Sequence, residues 1–363
     1  MIQELDADVV VEYFRGKNIL ITGSTGFLGK VLVEKILRVQ PDVKKLFLLV
    51  RALDDGFAKQ RIQTEVTGKE IFGILKEKYG DGFEDFIPEK ICPLPGDIIC
   101  DNLGLDNAQL TELFKHIDII VNGAATTNFF ERYDVAFNSN VLGAKHICKF
   151  AKNCAKLKML VHVSTAYVFG EHEGLQLEKP FLMGQTLKGG THLDIESELK
   201  LIQQTRRELK ENCSSERAEK KTMKELGLKR AREFGWPNTY VFTKAMGEML
   251  LGHLREWLKY ICLRIQQILH LANIALCGVL SRRYKELNRK YNYIMLLIEL
   301  YAPYTLYKGC FDDMNTERLR MRMKKKVQDK NGACHFCFDP KSIDWGDYFY
   351  RIHIPGMIKY LTN

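Results

Sequence analysis

The 363-residue chain is expected to be an α/β protein: a doubly wound parallel sheet followed by a mainly helical carboxyl-terminal domain. Three observations predict this. Up to about residue 170 short apolar runs alternate with stretches of helical periodicity, as when crossover helices cover both faces of a parallel sheet. A glycine-spaced loop lies between the first apolar run and the first helix. Beyond Ile265 the alternation stops, and helical, aromatic and then basic sequence takes over.

Asn18-Ile19-Leu20-Ile21 reads as a short buried strand. Thr22-Gly23-Ser24-Thr25-Gly26-Phe27-Leu28-Gly29 follows, and apolar residues at Leu28, Val31, Leu32 and Ile36 then give a helix with one buried face. Strand, glycine loop and helix in that order make a site for the pyrophosphate of a dinucleotide. Gly23 suits the positive φ of a tight turn, Gly26 the approach of backbone to phosphate, and Gly29 the packing of helix on strand. The helix amino end faces the anion. Thr22, Gly23, Thr25, Gly26, Phe27, Leu28 and Gly29 are therefore candidate cofactor-binding residues.

Lys45 to Arg51 supplies a second strand around apolar Leu46 to Val50, closed by Arg51, where an acidic residue would accept hydrogen bonds from the ribose hydroxyls of NAD. A cation there suits the extra phosphate of NADP, so NADPH is the expected cofactor; the plainer alternative is a strand-end arginine in water. Asp54 and Asp55 come late for the ribose role. A third strand, Ile91 to Leu94, leads into Gly96-Asp97, and a fourth, Ile117 to Val121, into Asn122-Gly123-Ala124-Ala125. Asp97 and Ala124 thus join the cofactor-binding set. A helix is expected from about Val135 to Lys156, and a fifth strand from Met159 to Val163 runs into Ser164-Thr165-Ala166-Tyr167. Residues 170–235 read as a charged helical insertion, solvated between Glu196 and Arg232. A helix resumes at Trp236 and carries Tyr240 and Lys244. Tyr260 to Arg264 suits a sixth strand or a helix.

Tyr240 and Lys244 lie one helical turn apart on the same face. A free phenol titrates near 10, and a nearby cation favours its phenolate, so the pair is an acid and base device. The spacing is also common on solvated helices. Its weight comes from the glycine loop upstream and from the hydroxyls at the end of the fifth strand.

An apolar content of 46% allows a sizeable core. No run of roughly 20 uninterrupted apolar residues is available to cross a bilayer. Glu4, Asp6 and Asp8 stand where a signal or plastid transit peptide would be basic. A cytoplasmic location is expected, with peripheral contact at the endoplasmic reticulum membrane as the alternative. The ten cysteines show no framework spacing and are expected as reduced thiols. Cys334-His335-Phe336-Cys337 lacks the second pair that zinc needs, so no metal is expected. Of the net charge of +9, the block from Arg318 to Lys326 is basic with little compensation. It suits an exposed arm or an anionic surface, phospholipid or the phosphates of coenzyme A. Nucleic acid is not an expected partner, because no recognised binding module accompanies the charge. Tyr291 to Tyr307 is strongly apolar but interrupted by Glu299 and Pro303, which suits burial.

These residues together resemble the extended short-chain dehydrogenase/reductase superfamily, with its Rossmann-like fold. The resemblance implies that Thr165, or less favourably Ser164, with Tyr240 and Lys244 holds the substrate oxygen beside the nicotinamide, and that Asn140 is the supporting helix asparagine. Gly23 to Lys30, Val163 to Val168 and Tyr240 to Glu248 are closer still to the plant alcohol-forming fatty acyl-CoA reductases. Leu297 to Tyr301, Phe311 to Thr316, Ile343 to Trp345 and Ile352 to Gly356 resemble that family's carboxyl-terminal domain. The resemblance implies a reductase domain over 14–265 and a carboxyl-terminal domain over 266–363. It also implies reduction of long-chain acyl-CoA to a primary alcohol by way of an aldehyde, with two hydrides from NADPH. In the implied mechanism Tyr240 and Thr165 stabilise the oxyanion, Tyr240 then donates its proton, and Lys244 lowers the phenol's pKa and holds the nicotinamide ribose. One departure stands out. Relatives continue Arg-Pro at the sixth strand, whereas here Ile265 follows Arg264 and the tail begins almost at once, so part of the sheet edge and acyl pocket is expected to be missing. A catalytically impaired relative, or another extended-family reductase, is the alternative reading.

Overall fold

The computed structural model describes residues 12–177, 179–254, 260–265, 309–324 and 343–356. These fall into two units, each described by itself: residues 15–312, and a smaller unit holding 12–14 and the described residues from 313 onward.

The larger unit is built on six parallel strands: β1 (Asn18–Thr22), β2 (Lys45–Val50), β3 (Ile91–Pro95), β4 (Ile119–Asn122), β5 (Met159–Thr165) and, later in the chain, β7 (Tyr260–Ile265). Their order across the sheet is β3-β2-β1-β4-β5-β7. The order reverses between β1 and β4, and at such a crevice beyond the strand ends ligands bind in open α/β sheets. All five residues of β1 are buried, as a central strand covered on both faces requires. The fourth strand begins two residues later than the sequence suggests, because Ile117 still closes the preceding helix by donating to the Leu113 carbonyl. The Tyr260 segment is a strand, paired with β5 from Leu160 opposite Tyr260 to Thr165 opposite Ile265.

The crossovers are helical: α1 (Phe27–Val39), α2 (Asp55–Ile62), α3 (Gly73–Tyr79), α4 (Phe83–Lys90) and α5 (Asn107–His116). The helix expected over Val135 to Lys156 runs from α6 (Tyr133–Ala136) through a π-helical stretch, Phe137–Leu142, into α7 (Gly143–Asn153). On one sheet face Leu20, Ile120 and Leu160 pack against Ala144, Ile147 and Leu113. In α1 the buried face is Val33, Ile36 and Leu37, with Leu28 exposed and Val31 and Leu32 half-buried. The buried face is thus centred on Val33 and Leu37, with Ile36 the one expected position that is buried.

The insertion carries α8 (Ile195–Glu211) and α9 (Glu216–Glu233), and a short strand β6 (Gly174–Gln176) that pairs with β8 (Gly309–Phe311). It is not simply solvated, as its composition suggested. Glu198 is 2% exposed and accepts the Tyr133 hydroxyl at 2.7 Å and the Arg230 Nε at 3.0 Å. Arg132 bridges Asp134 at 2.8 Å and Glu219 at 2.5 Å. Ile195, Ile202 and Ala231 join Trp236, Phe242 and Tyr240 in one apolar cluster. Charges that alternate along the sequence are thus paired inward across helices, and removing one partner would strand the other in a low dielectric.

The expected division at 265/266 adjoins residues outside the described set, and residues 309–312 belong to the larger unit. In the smaller unit α11 (Met314–Lys324) opens the basic block. Arg320 there is buried and paired with Glu317 one turn back, so part of that charge is compensated. The Tyr291 to Tyr307 run and Cys334 to Cys337 lie outside the described residues. Among those described, five cysteines are free, no group of side chains could hold a metal ion, and no helix is long and apolar enough to cross a membrane.

Candidate functional site

The glycine loop is shaped by backbone. Gly23 has φ +76°, and a Cβ there would stand 2.7 Å from the Ala124 nitrogen, so glycine is required twice over. The Gly26 N–H donates to the Gly23 carbonyl at 3.1 Å and closes the turn. A Cβ on Gly29 would run into that same carbonyl oxygen and lie 2.7 Å from the Ser24 Cα. Gly26 is the N-cap of α1 and no side chain caps the helix, which leaves first-turn N–H groups and the positive helix end for an anion. The Ser24 Oγ is buried without a hydrogen-bond partner. Phe27 is 85% exposed, so it borders the loop rather than the core. This cradle fits a pyrophosphate.

Arg51 follows the last residue of β2 and is exposed. Its carbonyl accepts the Arg61 Nη1 at 2.6 Å, and its guanidinium makes no ion pair among the described residues. Asp54 caps α2 by accepting the Phe57 N–H at 2.9 Å. Asp97, past β3, accepts the Ile99 N–H at 3.1 Å and donates its own N–H to Leu103 at 2.9 Å. It forms a turn past the end of β3.

Tyr240 and Lys244 lie on α10 (Thr239–Leu254), which is buried on nearly every side from Thr239 to Leu251. The solvated-helix reading of this pair is therefore excluded. Tyr240 is 5% exposed, hydrogen-bonded to Thr165 and stacked on Phe129 at a centroid separation of 5.6 Å. Thr165 ends β5 and accepts the Tyr167 N–H at 3.4 Å. Ser164 is buried and its hydroxyl has no partner. Thr165 is thus the hydroxyl brought to the phenol.

Burial pushes the Tyr240 phenol up to about 12, against the opposing effect of the Thr165 hydrogen bond. The net direction is opposite to the depression expected from a neighbouring ammonium. The reason is where the lysine goes: Lys244 Nζ donates to the Val163 carbonyl at 2.6 Å and lies 3.2 Å from His162 Nε2. Desolvation of the phenol then decides the sign.

Asn140 sits in the π-helical stretch, a distortion frequent at functional sites. Its Oδ1 accepts the Thr126 N–H at 3.1 Å, and its Nδ2 donates to the Thr126 carbonyl at 3.2 Å and to Thr243 Oγ1 at 2.9 Å. It braces the loop after β4 against α10.

Sequence reasoning missed His162, Asn122 and Phe129. Thr22, Asn122 and His162 are register partners across β1, β4 and β5. Two residues earlier the same sheet face presents Leu20, Ile120 and Leu160. The apolar face turns polar at its carboxyl end. Thr22 is 1% exposed and donates to Asn122 Oδ1 at 2.8 Å while accepting the Ala124 N–H at 3.1 Å. Thr22 and the Ala124 N–H are therefore engaged with each other. A signal was available at Thr22 and Asn122, polar residues that close apolar runs, whereas His162 stands inside the fifth run and joins the row only through strand register.

The family model described as Male sterility protein matches residues 21–316. The chain is 38% identical to Fatty acyl-CoA reductase 1 of Arabidopsis thaliana over 489 aligned positions, covering 97% of this chain and 99% of the relative. It is 35% identical to the Alcohol-forming fatty acyl-CoA reductase of Simmondsia chinensis over 490 positions, covering 98% and 99%. With Fatty acyl-CoA reductase 2, chloroplastic, of Arabidopsis thaliana the identity is 45% over 253 positions, covering 68% of this chain and 40% of the relative. The first two alignments are far longer than the 363 residues present, so the relatives hold well over a hundred positions with no counterpart here. The third opens few gaps, so the loss is concentrated rather than spread. On this similarity the chain belongs to the fatty acyl-CoA reductase family, built on a domain that binds a nicotinamide nucleotide.

Proposed function

We propose that this protein reduces long-chain acyl-CoA with NADPH to the primary fatty alcohol, by way of an aldehyde. The observation that carries the reading is the buried Tyr240 phenol, hydrogen-bonded to Thr165 at the carboxyl end of β5 in a chain of this family.

When bound, the nicotinamide would supply two hydrides, the first expelling coenzyme A from the thioester to leave an aldehyde, the second reducing the aldehyde. The Tyr240 and Thr165 hydroxyls are donors for the oxygen that gains charge in each step. A phenol near 12 keeps its proton at neutral pH, which suits a general acid that gives it up only to an alkoxide. Lys244 on the same helix face would hold the nucleotide ribose. The exposed Arg51 guanidinium, which makes no ion pair among the described residues, favours the phosphate-bearing nucleotide. An apolar product suits reaction at a membrane surface, approached peripherally.

The test is purified protein with NADPH and palmitoyl-CoA, followed by nucleotide oxidation and lipid extraction. Alcohol formed with two NADPH consumed per molecule is expected. The concentrated gap in the alignments favours a second reading, a relative that binds nucleotide without turnover. NADPH binding with no alcohol or aldehyde would establish that reading and overturn the first.

A further inference from the structure

Lys244 is seated by side chains that the reductase reading does not use. Its Nζ lies 3.2 Å from His162 Nε2, and His162 Nδ1 lies 3.0 Å from Asn122 Nδ2. Asn122 Oδ1 accepts the Thr22 hydroxyl at 2.8 Å, and Thr22 accepts the Ala124 N–H at 3.1 Å. Four side chains thus form one buried line from the loop after β4 to the lysine. All are at most 2% exposed. Three of them occupy one row of the sheet, so the line is fixed by strand register and cannot drift.

The hydrogen-bond inventory gives the line its logic. An amide nitrogen only donates and an ammonium only donates, while a neutral imidazole accepts at one nitrogen and donates at the other. Burial, reinforced by the lysine charge, keeps His162 well below the usual histidine range and hence neutral. With the Asn122 oxygen towards Thr22, Nδ1 accepts and Nε2–H faces the lysine nitrogen. With the amide reversed, Nδ1 donates and Nε2 accepts from the lysine. The two amide orientations of Asn122 therefore correspond to the two tautomers of His162, and the reversed amide is the one that lets Nε2 accept from the lysine ammonium.

We propose that His162 is a positioning residue that seats the Lys244 head group and, through Asn122 and Thr22, ties it to the loop at the nucleotide crevice. The proposal rests on the reading of Lys244 as a nucleotide-holding residue. It predicts that His162 acts through the lysine rather than through the general integrity of the fold.

A double-mutant cycle tests it, read as the NADPH dissociation constant from nucleotide fluorescence on the full chain. Lys244→Met and His162→Leu are each expected to weaken binding about tenfold. In the Lys244→Met background His162→Leu should add nothing, and His162→Gln, which can still accept and donate, should recover most of the single-mutant loss. Should the leucine variant fail to fold, the same cycle is run with His162→Gln and His162→Asn, the shorter amide giving the larger loss. Additive losses, or an unweakened Lys244→Met, would overturn the proposal. Absence of alcohol from the wild-type protein would sink the reductase reading but leaves this binding cycle unaffected.

Discussion

The glycine loop and the Tyr240 helix sit at the same end of one sheet, yet they are specified in opposite ways. The loop is made of backbone: a positive φ at Gly23, a turn closed on its carbonyl, and positions where a Cβ has no room. Its residues are contiguous, so its geometry is local. The helix end is made of side chains whose partners stand far away in sequence, Tyr240 on Thr165, Lys244 on His162 and Val163, Asn140 on Thr126 and Thr243. The lesson is that the loop tolerates almost no change of shape, whereas the helix end tolerates little change of chemistry.

The comparison breaks most visibly at the phenol. Tyr240→Phe keeps the packing on Phe129 and removes the hydroxyl, so acyl-CoA turnover should fall by about 10²- to 10⁴-fold while NADPH affinity is unchanged. Wild-type turnover in that variant would remove Tyr240 from the mechanism. Gly29→Ala is the mirror experiment. It forces the loop backbone aside, and NADPH binding measured by calorimetry should weaken on the order of 10²-fold, with the Tyr240 environment intact. A smaller effect is expected at Arg51. Arg51→Ala should reduce the preference for NADPH over NADH by about tenfold, the value of a charge-assisted contact, and equal ratios before and after would return Arg51 to an ordinary strand end.

The smallest effect is a pH dependence of stability. The folded His162 titrates well below its ordinary 6.5, because burial and then the Lys244 charge disfavour the cation. Below about 6.5 the unfolded chain therefore binds a proton that the folded chain refuses, and stability, complete above that pH, declines as the pH falls. Thermal unfolding between neutral pH and about pH 5 should show this slope, reduced in His162→Gln. At the alkaline end the sign reverses in origin. Tyr240, raised to about 12, contributes stability that is lost as pH climbs past about 10.

How far the sequence could be read follows from the same contrast. The first strand and the glycine loop were legible because apolar runs and glycine spacing are properties of neighbouring residues. The buried face of α1 was only partly placed, since periodicity gives a face but not which of its residues the fold covers. The insertion looked solvated because Glu198 and Arg230 are surface residues by type, and only the packing of α8 and α9 on Tyr133 brings them inside. Tyr240 and Lys244 were found by spacing, but the direction of the phenol's shift was not, because burial is a property of the whole fold.

By itself, then, the sequence determined the order of strands and crossovers, the phosphate-binding turn, and the presence of a hydroxyl, a phenol and an amine at the strand ends. Only the tertiary structure decided that Thr22, Asn122 and His162 form one row, 100 and 40 residues apart, and that this row ends on Lys244. Register between parallel strands is set by the packing of both sheet faces, and no local stretch of the chain encodes it.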